Sequence, residues 1–444
     1  MADPGEERTS GDRHPEDRPA NFRLLVGEGM AWKVMDTLLS PITVLPVFVH
    51  ELTPSKLAVG LIRAVYIFCW TFPQVVVAHY TDRLDRKKRF VVASRLLAGV
   101  PFLALGLLVY LGILSGGRGI LLAFFAALVV FSSLAGGSMV AWVALVGSII
   151  RQDVRGRFYG MRALFGAIAG VFASYFLIRE MLARVSYPLN FAVLFAASSV
   201  CAFIGVGFLS RVREKSGPTA EKGLSFFVFL RSIPGRLRED KGYALFVLAV
   251  VLAVFGGGGQ GMAGVFYSLY ALDVLGLAKS EMGTFTALLV VTELGGALSG
   301  GYLADRKGPV FPYALSLACG LLAAANACWV RSMGGMCVTF AAVGLSLGMQ
   351  ASSYHNMILA LAPTHLRGTY LGMTNFLQSP FLALGPILGG LIVKWTSFEV
   401  LFRLAAVGSA CALVAAISFL LEHRENGARQ RARKDTDQGR EIDR

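Results

Sequence analysis

Two carboxylates stand alone inside long apolar stretches of this chain, Asp36 and Glu293, each about thirteen residues in from the start of its stretch. At that depth a charge is costly, so each needs a cation, a watery cavity or a hydrogen-bonding neighbour. The chemistry open to such groups is solute binding, ion binding or proton carriage. Lys33, Asp36, Ser40 and Thr43 follow one another at spacings of three, four and three, which places all four on one face of a helix. Turned to lipid, that face would be prohibitively unfavourable. Lys33 lies one turn from Asp36, whereas no basic residue lies within a turn of Glu293 in the sequence. A nearby cation lowers a carboxyl pKa and burial raises it, so Asp36 is expected to stay ionised and Glu293 to be the better proton carrier. The alternatives are a Lys33–Asp36 pair that only fixes packing, and a Glu293 that holds its proton against a neighbouring helix.

Other polar side chains could complete a site. Gln260 and Tyr267 share one helical face; Ser346, Gln350, Ser353 and Tyr354 share another, as do Ser138 and Trp142. Asn375 and Gln378 either reach a cavity or bridge helices. Arg63, Arg95, Arg162, Arg179 and Arg403 lie near the ends of their apolar stretches, where a long cationic side chain reaches the interface.

The elements that must position these residues are membrane helices. The chain is 55% hydrophobic and only 16% charged over 444 residues, with mean hydropathy +0.61, too apolar for a water-exposed surface of this size. Twelve apolar stretches, near 24–49, 55–79, 89–113, 119–149, 158–183, 188–210, 243–272, 280–303, 310–330, 335–362, 369–394 and 398–421, are each long enough to cross about 30 Å of hydrocarbon. The fold class expected is an all-α membrane protein. The formal charge of +14 does not require nucleic acid, because the basic residues alternate. One set of connections carries clusters, such as Arg86–Arg89, Arg151–Arg157 and Arg306–Lys307. The other set carries about one each: Lys56, Arg118, Arg184, Lys279, Arg331 and Lys394. This bias places the clusters and both termini in the cytoplasm and the protein in the cytoplasmic (inner) membrane, multi-pass. Residues 1–22 and 422–444 read as disordered tails, and 211–242 as a cytoplasmic linker between bundles at 23–210 and 243–421. Within the linker, 224–237 suits a short interfacial helix. All six cysteines fall in apolar stretches without metal-ligand spacing, so buried free thiols are expected, with no metal and no cofactor.

The two bundles are related in sequence. At an offset of 223 positions Asp82-Arg83 falls on Asp305-Arg306, Gly60 falls on Gly283, and Asp36 comes beside Gln260. Arg155-Gly156 with Gly160 is echoed by Arg367-Gly368 with Gly372. These elements resemble the major facilitator superfamily, whose loop between spans 2 and 3 typically reads G-x-x-x-D-R-x-G-R-R/K. Gly301, Asp305, Arg306 and Gly308 match that pattern in the second bundle; Asp82, Arg83 and Arg86 keep part of it in the first, where Asp85 replaces the later glycine. The Gly385-Pro386-Ile387-Leu388-Gly389-Gly390 segment in span 11 reads best as close helix packing.

The resemblance implies two pseudo-symmetric six-helix bundles and a cavity between spans 1, 4, 7 and 10. Substrate or coupling residues would then be Lys33, Asp36, Ser40, Trp142, Gln260, Tyr267, Glu293, Gln350 and Tyr354. It also implies a gate, with Asp82 against the start of span 11 and Asp305 against the start of span 5 while the cytoplasmic side is closed. No GxxxxGKS/T segment occurs, so an ion gradient is the expected energy source, protons being favoured by the two deep carboxylates. The expected activity is secondary transport of a small organic solute by a monomer, not an enzymatic reaction. An efflux pump for drug-like or lipid-like amphiphiles and a non-transporting sensor of the same fold are the alternatives.

Overall fold

A computed structural model describes residues 19–81, 86–114, 116–214, 235, 241–361 and 367–442 of the chain. Among them the apolar stretches are helices and no strand occurs. The first group comprises α1 (Pro19–Leu38), α2 (Val44–Leu52), α3 (Lys56–Thr81), α4 (Lys87–Tyr110), α5 (Gly117–Ile149), α6 (Arg155–Phe172), α7 (Glu180–Arg184) and α8 (Leu189–Arg211). A π-helical segment, Ala173–Arg179, joins α6 to α7. The second group comprises α9 (Lys241–Val254), α10 (Phe266–Asp273), α11 (Glu281–Lys307), α12 (Val310–Trp329), α13 (Met333–Leu361), α14 (Arg367–Trp395) and α15 (Phe398–Ile442).

Ten runs of helix among the described residues are long and apolar enough to cross a membrane unbroken. The remaining two apolar stretches, expected as continuous helices over 24–49 and 243–272, are each interrupted at depth. Proline at 41 lacks a donor and disfavours helical geometry in Ser40, so α1 stops at Leu38 and α2 restarts at Val44. Ser40 Oγ accepts the backbone N–H groups of Ile42 and Thr43 and the Thr43 hydroxyl, at 3.4, 3.3 and 2.8 Å. The second break, between Val254 and Phe266, holds six glycines, each costing a helix about 1 kcal/mol relative to alanine. Its freed backbone groups find side chains: Tyr267 donates to Gly257 O and Ser409 Oγ accepts from Gly257 N, both at 2.8 Å. Irregular backbone survives at such depth only where protein or a wet cavity covers it. Ten unbroken and two broken stretches are consistent with twelve crossings.

Helix runs into both segments expected as tails. Helix α1 starts at Pro19, a residue whose fixed φ suits a first turn, and Asn21 anchors that turn through paired 3.1 Å bonds with the Arg213 backbone. Helix α15 continues to Ile442, because 422–442 is rich in Arg, Glu and Gln and contains no proline. The segment 224–237 lies outside the described residues except position 235.

Packing distinguishes the two ends of the molecule. At the end away from the chain termini a single apolar core runs through both groups, from Phe48, Phe124 and Phe191 to Tyr270, Met282 and Phe402. At the end where α1 begins and α15 continues outward, the core is two separate clusters. One holds Leu25, Ile149 and Phe158 of the first group, the other Tyr243, Tyr313 and Phe419 of the second. Among the described residues the core is therefore continuous across the far end and divided at the terminal end. Large apolar side chains such as Leu97, Leu122, Phe172, Leu298 and Val414 stand exposed around the outside, as a lipid-facing surface requires.

Candidate functional site

A cavity of about 500 Å³ lies between the two groups, within the usual range for small-molecule sites. Each wall is one helical face. From α3 come Arg63, Tyr66, Ile67, Trp70, Thr71 and Gln74; from α11, Thr286, Leu289, Val290 and Glu293; from α13, Leu347, Gln350, Ala351 and Tyr354; from α14, Asn375, Gln378 and Leu382. All follow spacings of three and four, so one stripe per helix faces the space. The α1–α2 stretch adds Lys33, Asp36, Thr37 and Ser40, and Gln260 enters from the break before α10. Seven of the nine expected substrate or coupling residues line the cavity: Lys33, Asp36, Ser40, Gln260, Glu293, Gln350 and Tyr354.

Trp142 and Tyr267 do not. Trp142 is buried beneath two guanidinium groups, Arg95 at 5.6 Å and Arg162 at 4.6 Å from its ring. Tyr267 is fully buried, stacked on Phe402 and committed to the broken backbone. Three arginines expected at the interface are also elsewhere. Arg95 and Arg162 both bind Glu28, the latter at 3.1 Å, in a buried cluster that ties α1 to α4 and α6. Arg63 lines the cavity. Arg403 is largely exposed beside Glu399. The six cysteines are not buried as expected: Cys411 is exposed and Cys69, Cys201, Cys319, Cys328 and Cys337 are half-buried.

The charged centre of the cavity differs from the sequence expectation. Lys33 Nζ donates to Glu293 Oε2 at 2.8 Å, across the two groups, and lies 3.7 Å from Asp36 Oδ2. Glu293 thus has a basic neighbour after all, and a closer one than Asp36 has. Beside it, Gln378 donates to Tyr354 OH at 2.7 Å, and Tyr354 OH donates to Asn375 Oδ1 at 2.9 Å.

The far end of the cavity is shut by contacts between the groups. Thr286 donates to Thr43 at 2.7 Å, and Ser268 donates to Ile42 O. Further out, Lys56 and His50 (2.9 Å) both meet Asp273, and Lys279 meets Glu51 at 2.7 Å. Asp273 closes α10 beyond the apolar stretch. Partial burial pushes its carboxyl up, but hydrogen bonds from His50 and Lys56 outweigh that and hold it below the usual carboxylate range. A lowered carboxyl stabilises the closed end above the ordinary range and loses that effect only as pH falls through the lowered value. The Asp273 charge therefore persists throughout the neutral range.

The model of the Major Facilitator Superfamily matches residues 30–382 of the chain. The chain belongs to that superfamily. Solved structures with the same fold include the nucleoside transporter NupG, with TM-score 0.66, 13% identity and coverage of 92% of this chain and 99% of that one. A POT family peptide transporter gives TM-score 0.64 and 13% identity, over 91% and 97% of the two chains. A bacterial homologue of the human lysosomal transporter Spinster, inward-facing and unoccupied, gives 0.60 and 16%, over 91% and 95%. A search of curated protein sequences returned no match. This superfamily member is a multi-pass membrane transporter and not an enzyme.

The described residues of the expected gate lie at the terminal end. Asp82 and Arg83 fall outside the described residues. Arg86 is exposed just before α4, and Arg306 sits 4.5 Å from the Tyr302 ring. Gly308 ends α11 at φ +82°, a conformation that L side chains rarely adopt. Asp305 is exposed, Gly301 has open space beside it, and so have Gly156 and Gly160 at the start of α6. Among the described residues the Asp305 carboxylate has no hydrogen bond or ion pair with the start of α6.

Proposed function

We propose that this superfamily member moves a small organic solute across the cytoplasmic membrane by alternating access, driven by protons. Its basic clusters at Lys87–Arg89, Arg155–Arg157 and Arg306–Lys307 support a cytoplasmic terminal end. The parted core would then be the inward-facing state. The observation carrying the coupling proposal is the position of Lys33, bonded to Glu293 on the other group and 3.7 Å from Asp36 on its own. With Glu293 ionised, Lys33 links the two bundles beside the solute space. A proton on Glu293 removes half of that link, and Lys33 is left to Asp36. Gain or loss of one proton thereby changes how the bundles are held together, as coupling demands.

The test is transport in proteoliposomes, with a solute found by thermal-shift screening of the purified protein. Glu293→Gln, which resembles the protonated acid, should retain exchange at equal pH and lose accumulation driven by a pH difference. Undiminished accumulation in that variant would remove Glu293 from the coupling step.

A further inference from the structure

Arg63 has no role in the link between Lys33, Asp36 and Glu293, yet it is only 8% exposed, and that exposure is to the cavity. Its Nε has no hydrogen-bond partner, and no carboxylate among the described residues lies within ion-pair distance of its guanidinium. The other deep arginines are served differently: Arg95 and Arg162 share Glu28. A buried cation without an acceptor is expensive, and a binding protein keeps one where a ligand supplies the missing charge.

We propose that Arg63 is the anchor for an oxyanion, a carboxylate or a phosphate, carried by the transported solute. The inference rests on the reading of this cavity as the solute site. The planar fork of a guanidinium matches either oxyanion with two parallel bonds. One turn along, Tyr66 lies 5.8 Å from the guanidinium and stacks on Trp70 at 5.8 Å and 16°, a flat apolar shelf beside the charge. The solute class is thus an organic anion with a flat or apolar body.

The same geometry links anion and proton. The titratable groups facing the cavity among the described residues are Lys33, Asp36, Arg63, Tyr66, Glu293 and Tyr354. Asp36 lies within electrostatic reach of Arg63 and of Lys33. While Lys33 serves Glu293, the Asp36 charge opposes an incoming anion at Arg63. A proton on Glu293 turns Lys33 to Asp36, and Lys33 then offsets the charge that opposed the anion. Anion and proton then bind together.

Binding is measured on the purified full-length protein in detergent, by tryptophan fluorescence and thermal shift, with phenylacetate, phenyl phosphate, phenylacetamide and phenethylamine as probes. At least one anion should bind better than the amide and the amine. Arg63→Gln should weaken that anion about tenfold or more and leave the amide unchanged. Arg63→Gln should also melt no lower than the parent, because it removes an unpaired buried charge. Should it fail to fold, Arg63→Lys retains the charge without the fork and should bind the anion more weakly than the parent. Equal binding of amide and anion, preference for the amine, an anion preference that survives in Arg63→Gln, or no anion binding at millimolar concentration each overturn the proposal. No gradient is present in this measurement, so loss of proton-driven accumulation and loss of anion binding are separate failures.

Discussion

Glu28 accepts from two guanidinium groups and is 1% exposed. Replacing it with glutamine leaves Arg95 and Arg162 packed around Trp32 and Trp142 without a counter-charge. Removing one partner of a buried pair typically costs about 3–5 kcal/mol. Glu28→Gln should therefore lower the melting temperature markedly in detergent, and a parent-like melt would show that water reaches the two arginines. The cluster was not legible in the sequence, because its members lie 67 and 134 residues apart and Glu28 sits close to what composition marks as a tail. Lys33–Asp36 was visible as a one-turn spacing. Lys33–Glu293, 260 residues apart, was not, and it reverses which carboxylate has the nearer cation. Arg63 was misplaced for a related reason: depth along a helix says nothing about which way the helix faces.

Helices α11 and α13 meet through two pairs of glycines, Gly296 with Gly300 and Gly344 with Gly348, each four residues apart. A Cβ at Gly348 would collide with the Glu293 carbonyl oxygen, backbone that cannot swing aside. Gly348→Ala should cost about 1–3 kcal/mol and displace the turn that carries Glu293. Gly295→Ala, one residue outside the contact and with open space around it, should be neutral or slightly stabilising. Thermal melts of the two variants decide this, and equal melts would mean the helices separate at no cost. At this scale the ten unbroken crossings were legible from hydrophobic length alone. The breaks were also written in the chain, as Pro41 and the glycines between 256 and 264. Apolar continuity hid them, since hydropathy counts side chains and ignores the backbone.

The repeat pair Gly60 and Gly283 marks equivalent contacts between the two groups. Gly60 of α3 abuts the Pro386 carbonyl of α14, and Gly283 of α11 abuts Ser174 and Arg179 beside α6. The Gly385–Gly390 segment packs closely on its neighbours, with Gly390 against Lys56 and Gly389 against Met262, as its small residues suggested. The pseudo-symmetry was therefore legible, because close backbone approach demands glycine at both copies. The cavity was legible only in part, because its α3 wall reads in sequence as an ordinary amphipathic stripe.

The four charged side chains that line the cavity, Lys33, Asp36, Arg63 and Glu293, sum to zero. On the proposed cycle the empty carrier turns over with no net charge, and the carrier loaded with one proton and a singly charged anion does the same. A membrane voltage acts at about 2.3 kcal/mol per elementary charge per 100 mV, and neither crossing offers it a charge to act on. Uptake into proteoliposomes should then respond to an imposed pH difference and ignore a potassium diffusion potential set with valinomycin; a rate that follows the potential would require an additional charge in the cycle. The even balance of two lysine and arginine side chains against two acids would make this transporter indifferent to the electrical state of its membrane.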